Sequence, residues 1–167
     1  KEARSHEVQH GMTWVTESVF PTGPLVYIHS AQRLIHEFEP DWVVGFSDTY
    51  FGILDVMLAE RSGIQSVVDA YDNYESYVPW LKPLHHSWRK ALARATCVTA
   101  AGPHLAKLLA SFRPDKRAYT IPMASDPNFK PLDRAACRRK LALPLDRPII
   151  GYSGAVHRSR GIETLFR

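Results

Sequence analysis

The chain has 167 residues, 45% of them hydrophobic and 23% charged, with a formal net charge of +4. That is the composition of a globular domain able to bury a core, one domain or one plus the start of another. It excludes a low-complexity chain, and no apolar run approaches the ~20 residues that span a bilayer.

Taken in chain order, the first two dozen residues are the least readable. Gly11 to Thr16 reads as a strand, and Val19 to Pro24 as a loop by its proline and glycine punctuation. From Leu25 to Phe38, the residues Leu25, Ile28, Ala31, Ile35 and Phe38 recur at helical spacing, and Pro40 stops the helix. Asp41–Phe46 is short, apolar and β-branched, which predicts a buried strand. Thr49–Ser62 reads as a helix with Gly63 as its C-cap, and Ile64–Ala70 as the next strand. A helix over Pro79–Ala95, a strand over Thr96–Ala100, a helix over His104–Phe112 and a strand over Arg117–Ile121 follow. A basic helix from Asp133 to Leu141 and a strand over Pro148–Tyr152 complete the series. Strands alternating with crossover-length helices predict an α/β fold, a doubly wound parallel sheet of Rossmann-like kind.

Ligands of such sheets bind at the carboxyl ends of strands, so chemistry is sought in the loops there. At the end of the Ile64–Ala70 strand and just beyond it lies Asp69-Ala-Tyr-Asp-Asn-Tyr-Glu-Ser76, with three carboxylates and two tyrosines. Such groups hold sugar hydroxyls or poise a carboxylate for proton transfer. The structural alternative is helix capping by Asp72 or Asn73 with a solvated Glu75. The second stretch is Gly151-Tyr-Ser-Gly-Ala-Val-His-Arg-Ser-Arg-Gly161. Glycines there let the backbone approach an anion, a helix N-terminus favours it, and Arg158 and Arg160 add charge. The spacing is not the dinucleotide G-x-G-x-x-G, and a purely structural turn is the alternative.

In Trp80–Leu92, the residues Leu81, Leu84, Trp88 and Leu92 share a helix face beside Lys82, His86, Arg89 and Lys90. Such a helix could lie on an anionic membrane, although a stripe of this kind is more often a core face. From Lys130 onward there are nine Lys/Arg against three Asp/Glu. The alternatives are an anionic partner and a solvated helix face balanced by other sequence. The eight histidines form no metal-ligand spacing, and neither G-x-S-x-G nor a P-loop occurs. Cys97 and Cys137 read as free thiols in a reducing compartment rather than a disulfide.

Five pieces in order resemble the family 4, or group 1, retaining glycosyltransferases of the GT-B fold. Glu39-Pro-Asp-Trp-Val-Val-Gly-Phe-Ser47 is similar to "P-D-V-V-H-x-H", and Gly63–Asp72 to "G-I-P-V-V-x-x-x-H-D". Ala95–Leu105 is similar to "A-D-x-V-I-A-x-S-x-x-L", Ile121–Pro131 to "I-P-N-G-V-D-x-x-x-F-x-P", and Pro148–Leu165 to "P-V-I-G-Y-V-G-R-L-x-x-x-K-G-I-x-x-L". Ala155 stands where the family has an arginine, Arg160 where it has a lysine, and Tyr71 where it has a histidine.

The resemblance implies a fragment of a two-domain transferase. Residues 1–126 would be part of the acceptor-side domain, 127–147 a linker with a short helix, and 148–167 the first strand–turn–helix of the donor domain. It implies transfer of a sugar from a nucleotide sugar with retention, without cofactor or metal. Asp72 and Tyr71 would be catalytic. Gly154, Arg158, Arg160 and Gly161 would hold the donor phosphates, and Phe46, Ser47 and Asp69 would line the acceptor side. The fragment alone is expected to be inactive. The setting expected is cytoplasmic, with an unknown sugar, lipid or small-molecule acceptor, peripheral membrane contact through residues 80–94 left open, and no nucleic acid. A sugar-nucleotide epimerase of the same fold and a non-catalytic polyanion-binding module are the alternatives.

Overall fold

The computed structural model describes residues 4–17, 24–46, 48–157 and 161–165. The chain divides into two compact units, Lys1–Ala124 and Ser125–Arg167, with the boundary inside the Pro122–Asp126 turn.

The first unit opens with an antiparallel hairpin, β1 (Arg4–Gln9) and β2 (Met12–Glu17). Its two turn residues, His10 and Gly11, both have positive φ (51° and 78°), as a two-residue turn matched to strand twist requires. Helix α1 (Pro24–Phe38) follows, then strand β3 (Trp42–Phe46) and helix α2 (Thr49–Ser62). The Asp48 carboxylate caps α2 by accepting the Tyr50 N–H at 2.8 Å and the Phe51 N–H at 3.2 Å, and Gly63 closes it. Strand β4 (Gln65–Ala70), helix α3 (Lys82–Arg94), strand β5 (Cys97–Ala100), helix α4 (Pro103–Ala110) and the short strand β6 (Tyr119–Thr120) complete the unit.

The four strands form a parallel sheet in the order β3-β4-β5-β6. The parallel α/β expectation holds in this general form, but the doubly wound one meets a difference. Right-handed connections between sequential neighbours place every crossover helix on the same side. One core cluster accordingly joins Val68, Ala70, Val98 and Ala100 of the sheet to Val56 of α2, Trp88 and Leu92 of α3, and Leu109 of α4. On the other face Trp42 and Val44 are each 51% exposed. No reversal of strand order occurs among the described residues.

Two glycines set the helix distances. A Cβ on Gly45 would lie 2.5 Å from the Asp55 Cβ, and one on Gly52 would lie 2.5 Å from the Trp88 ring. Helix α2 therefore lies directly on β3 and under Trp88. Burying a side chain of that size contributes about 3 kcal/mol. The buried Arg113 binds the end of α3 to the start of β5, donating to the carbonyls of Leu92, Ala95 (3.1 Å) and Thr96 (3.4 Å).

The second unit contains helices α5 (Arg134–Lys140) and α6 (Ile162–Leu165). The strand expected over Pro148–Tyr152 is absent: these residues are irregular and exposed. A strand is stabilised by a neighbour that takes its backbone hydrogen bonds, and the described residues of this unit offer none.

Candidate functional site

At the carboxyl end of β4 the chain turns sharply through residues 71–77, with a single helical turn at Tyr74–Ser76. Tyr74 is the anchor. Its ring is buried edge-on against Trp88 (5.8 Å) and Tyr71 (5.6 Å), and its hydroxyl accepts the Tyr71 N–H at 3.3 Å. Burial pushes its phenol up to about 12, so it stays neutral and structural. Glu75, read as one of three carboxylates available for chemistry or else as solvated, is turned inward and makes a two-pronged bond with Arg89 of α3 (2.8 and 2.5 Å). That bond, and the charge of Arg89, hold its carboxyl below the usual range. Arg89 also lies over the Phe112 ring at 4.6 Å. The loop is thus clamped at two points, and what it leaves outside is Tyr71, 48% exposed, with Asp72 and Asn73.

Asp72 is held in place. One carboxylate oxygen accepts the Asn73 N–H at 2.7 Å, and the other accepts the Tyr77 hydroxyl. Across from it begins α4, whose N-cap, Gly102, provides no side-chain cap and whose first residue is a proline. Among the described residues no side chain is seen to cap its first amides, which confer a partial positive charge. A cleft of about 460 Å³ lies between the two, lined by Tyr71, Asp72, Asn73, Gly102, His104 and Leu105 among others. That volume suits a small polar ligand.

The structure thus brings Tyr71 and Asp72 together. Asp69 lies at the end of β4 on the uncovered face of the sheet, where the Thr99 hydroxyl donates to it. Phe46 does not line the cleft; it borders a separate groove beside α1. Ser47, Arg158 and Arg160 lie outside the described residues. Gly154 (φ 149°) takes a glycine-favouring conformation in an exposed stretch that Tyr152 braces by donating to the Ala155 carbonyl at 2.9 Å, and Gly161 (φ 69°), beyond the residues left undescribed, is also left-handed. The stripe on α3 is a core face: Trp88 and Leu92 are buried and Lys82, His86 and Lys90 are exposed, while Leu81 falls outside the stripe. No helix among the described residues is long and apolar enough to cross a membrane, and no group of three metal-ligating side chains occurs among them. Both cysteines are free.

Sequence reasoning passed over two groups, Thr99 and Asp55, whereas the Ala101–Pro103 loop that opens α4 is among those expected at the ligand-binding edge. Asp55 had a signal, being the one charged residue between Thr49 and Ala59 in an otherwise apolar helix. It is 3% exposed, and neither carboxylate oxygen has a hydrogen-bond partner among the described residues. Burial raises it from 3.8 to about 7, offset in part by the nearby Gly45 backbone.

No protein-family model and no curated protein matches the sequence.

Proposed function

We propose that the chain is the acceptor-side part of a GT-B retaining glycosyltransferase, which moves a sugar from a nucleotide sugar to a hydroxyl-bearing acceptor. The observation that carries this reading is the cleft at the carboxyl edge of the parallel sheet. There Tyr71 and a fixed Asp72 carboxylate face the open N-terminus of α4. Hydroxyl donors of an acceptor would bond to Asp72, and its acceptor groups to the α4 amides and the Tyr71 hydroxyl. Asp72 would then receive or orient the proton of the attacking hydroxyl. Donor diphosphate would be met by the Gly154–Gly161 turn, with Arg158 and Arg160 supplying the charge that stabilises the leaving group. The five ordered motifs support the reading, as does a unit boundary between Ala124 and Ser125. An acceptor at a membrane would meet Trp80 and Leu81, exposed ahead of α3 beside Lys82, His86 and Lys90.

The polyanion-binding alternative is weaker on one count. Arg138, at the centre of the basic helix α5, is occupied internally, donating to the carbonyls of Pro144, Leu145 and Arg147 at 3.0, 3.2 and 2.9 Å.

The test is release of nucleoside diphosphate from UDP- and GDP-sugars by the protein of the complete reading frame. Asp72→Asn should lower the rate by about 10²–10⁴-fold, with Tyr71→Phe having a smaller effect. Undiminished turnover by Asp72→Asn would refute the site. No release from any donor, with salt-sensitive binding to nucleic acid, would refute the transferase reading.

A further inference from the structure

Three residues of α3 hold the loop that carries Tyr71 and Asp72, and their spacing puts them on one face of the helix. The His85 Nε2–H donates to the Val78 carbonyl at 3.0 Å, Trp88 backs the Tyr74 ring, and Arg89 grips the Glu75 carboxylate. Tyr77 lies between these pins. Its N–H donates to the Tyr74 carbonyl at 3.2 Å, and its hydroxyl donates to Asp72. The position of the Asp72 carboxylate is therefore set from α3.

Arg89 makes a second contact that the other two do not. Its Nε and one terminal nitrogen meet the two Glu75 oxygens, while the guanidinium carbon lies over the Phe112 ring, 4.6 Å from its centre. A planar fork can bond in its plane and present its face to a ring at once; an ammonium group cannot. Phe112 follows closely on α4: its N–H donates to the Leu109 carbonyl at 3.1 Å, and it packs with Leu105 against the core cluster. Leu105 lines the cleft from the α4 side. One side chain thus joins the segments that carry the two walls of the cleft.

We propose that Arg89 is a positioning residue: as a strut between the Glu75 loop and the end of α4, it fixes the separation of the Asp72 carboxylate from the α4 wall. Its effect on turnover rests on the acceptor-site reading; the strut itself rests on contacts within the fold. The alternative is a contribution to overall stability alone. That would loosen every amide alike and leave the turnover of folded molecules unchanged.

The test uses Arg89→Lys, which keeps the charge and loses the fork, and the pair Phe112→Leu and Phe112→Tyr, which lose and keep the ring. Arg89 is 48% exposed, so its replacement does not empty the core. Amide hydrogen exchange of the 167-residue chain reads the strut. In Arg89→Lys and in Phe112→Leu the amides of Tyr74, Ser76 and Tyr77 should exchange about tenfold faster, and those of β4 and β5 should change less. Phe112→Tyr should match the wild type. Nucleoside diphosphate release by the protein of the complete reading frame reads the effect on Asp72. Arg89→Lys should lower kcat about tenfold or more, and it should have no further effect in an Asp72→Asn background, because it acts through that carboxylate. Unchanged kcat in Arg89→Lys, multiplicative losses in the double variant, or acceleration spread equally over loop and sheet would each overturn the proposal. If the wild type releases nothing, the transferase reading fails, and the exchange pattern alone decides whether Arg89 is a strut.

Discussion

Replacing Asp55 with asparagine should remove a pH dependence, and this separates the effect from the ordinary cost of a core substitution. The carboxyl is raised from 3.8 to about 7 by burial, so the folded chain keeps its proton where the unfolded chain has lost it. Below the unfolded value both states are protonated and the group does not oppose folding. As pH rises towards 7, stability falls by up to about 1.36 kcal/mol per pH unit, and above that value the loss is complete. The full interval would give about 4 kcal/mol; charges inside proteins act as if the medium were more polarisable than a dry interior, and about 2 kcal/mol is the working figure. Tyr27, which shares the groove, is raised above 10 by burial and does not titrate in this range. The assay is urea unfolding of both proteins from pH 5 to 8, read as the difference between their stabilities. Asparagine leaves polar atoms buried, a constant offset, so the slope is the signal. The difference should shift by about 2 kcal/mol in favour of Asp55→Asn as pH rises. A flat difference would mean that the carboxylate is solvated or paired, and the argument from burial would fail.

Two further substitutions test the packing. Gly45→Ala introduces a Cβ 2.7 Å from the Phe51 carbonyl oxygen as well as against Asp55, and should cost about 1–3 kcal/mol in urea unfolding by forcing α2 off the sheet. Glu75→Gln removes the charge partner of Arg89. Because the Glu75 carboxyl is depressed, its contribution is present above 4.5 and lost on acidification, so the variant should lose less stability than the wild type as pH falls, starting about 1 kcal/mol lower at neutral pH.

What could be read in advance was whatever local chemistry decides. Val43-Val44 and Val67-Val68 are β-branched pairs in short apolar runs, and both became neighbouring strands of one sheet, although β3 lies at its edge rather than buried as expected. Gly63 ended α2 in the expected place. The start of α3 was expected at Pro79 but lies at Lys82, because the chain first makes a turn in which the Leu81 N–H donates to the Val78 carbonyl at 3.0 Å. Proline suits a first helical turn, and Pro83, not Pro79, occupies it. The β1–β2 hairpin was half missed because its turn gives a left-handed conformation to a histidine, where Asn-Gly or Asp-Gly is the usual signal. Pro148–Tyr152 was misread for the opposite reason: its residues suit a strand, and strand formation depends on a neighbour that sequence does not reveal.

The candidate site divides in the same way. Tyr71 and Asp72 were legible because they follow a strand whose carboxyl end faces a ligand edge. Phe46 also ends a strand, but an outer one, and its side chain borders the outer groove. The inward turn of Glu75 and the cleft wall formed by α4 depend on contacts between residues far apart in sequence. Charge at Glu75 looked chemical from the sequence; in the fold it is a clamp.

Arg113 has a consequence for how the molecule opens. Its guanidinium holds carbonyls at the end of α3 and the entry to β5 from a position just after α4. None of these segments can separate by itself without stranding a buried cation, so α3, β5 and α4 should breathe together. Their amides should then exchange hydrogen for deuterium with one shared opening free energy. The β1–β2 hairpin, paired in a sheet of its own, should exchange far sooner.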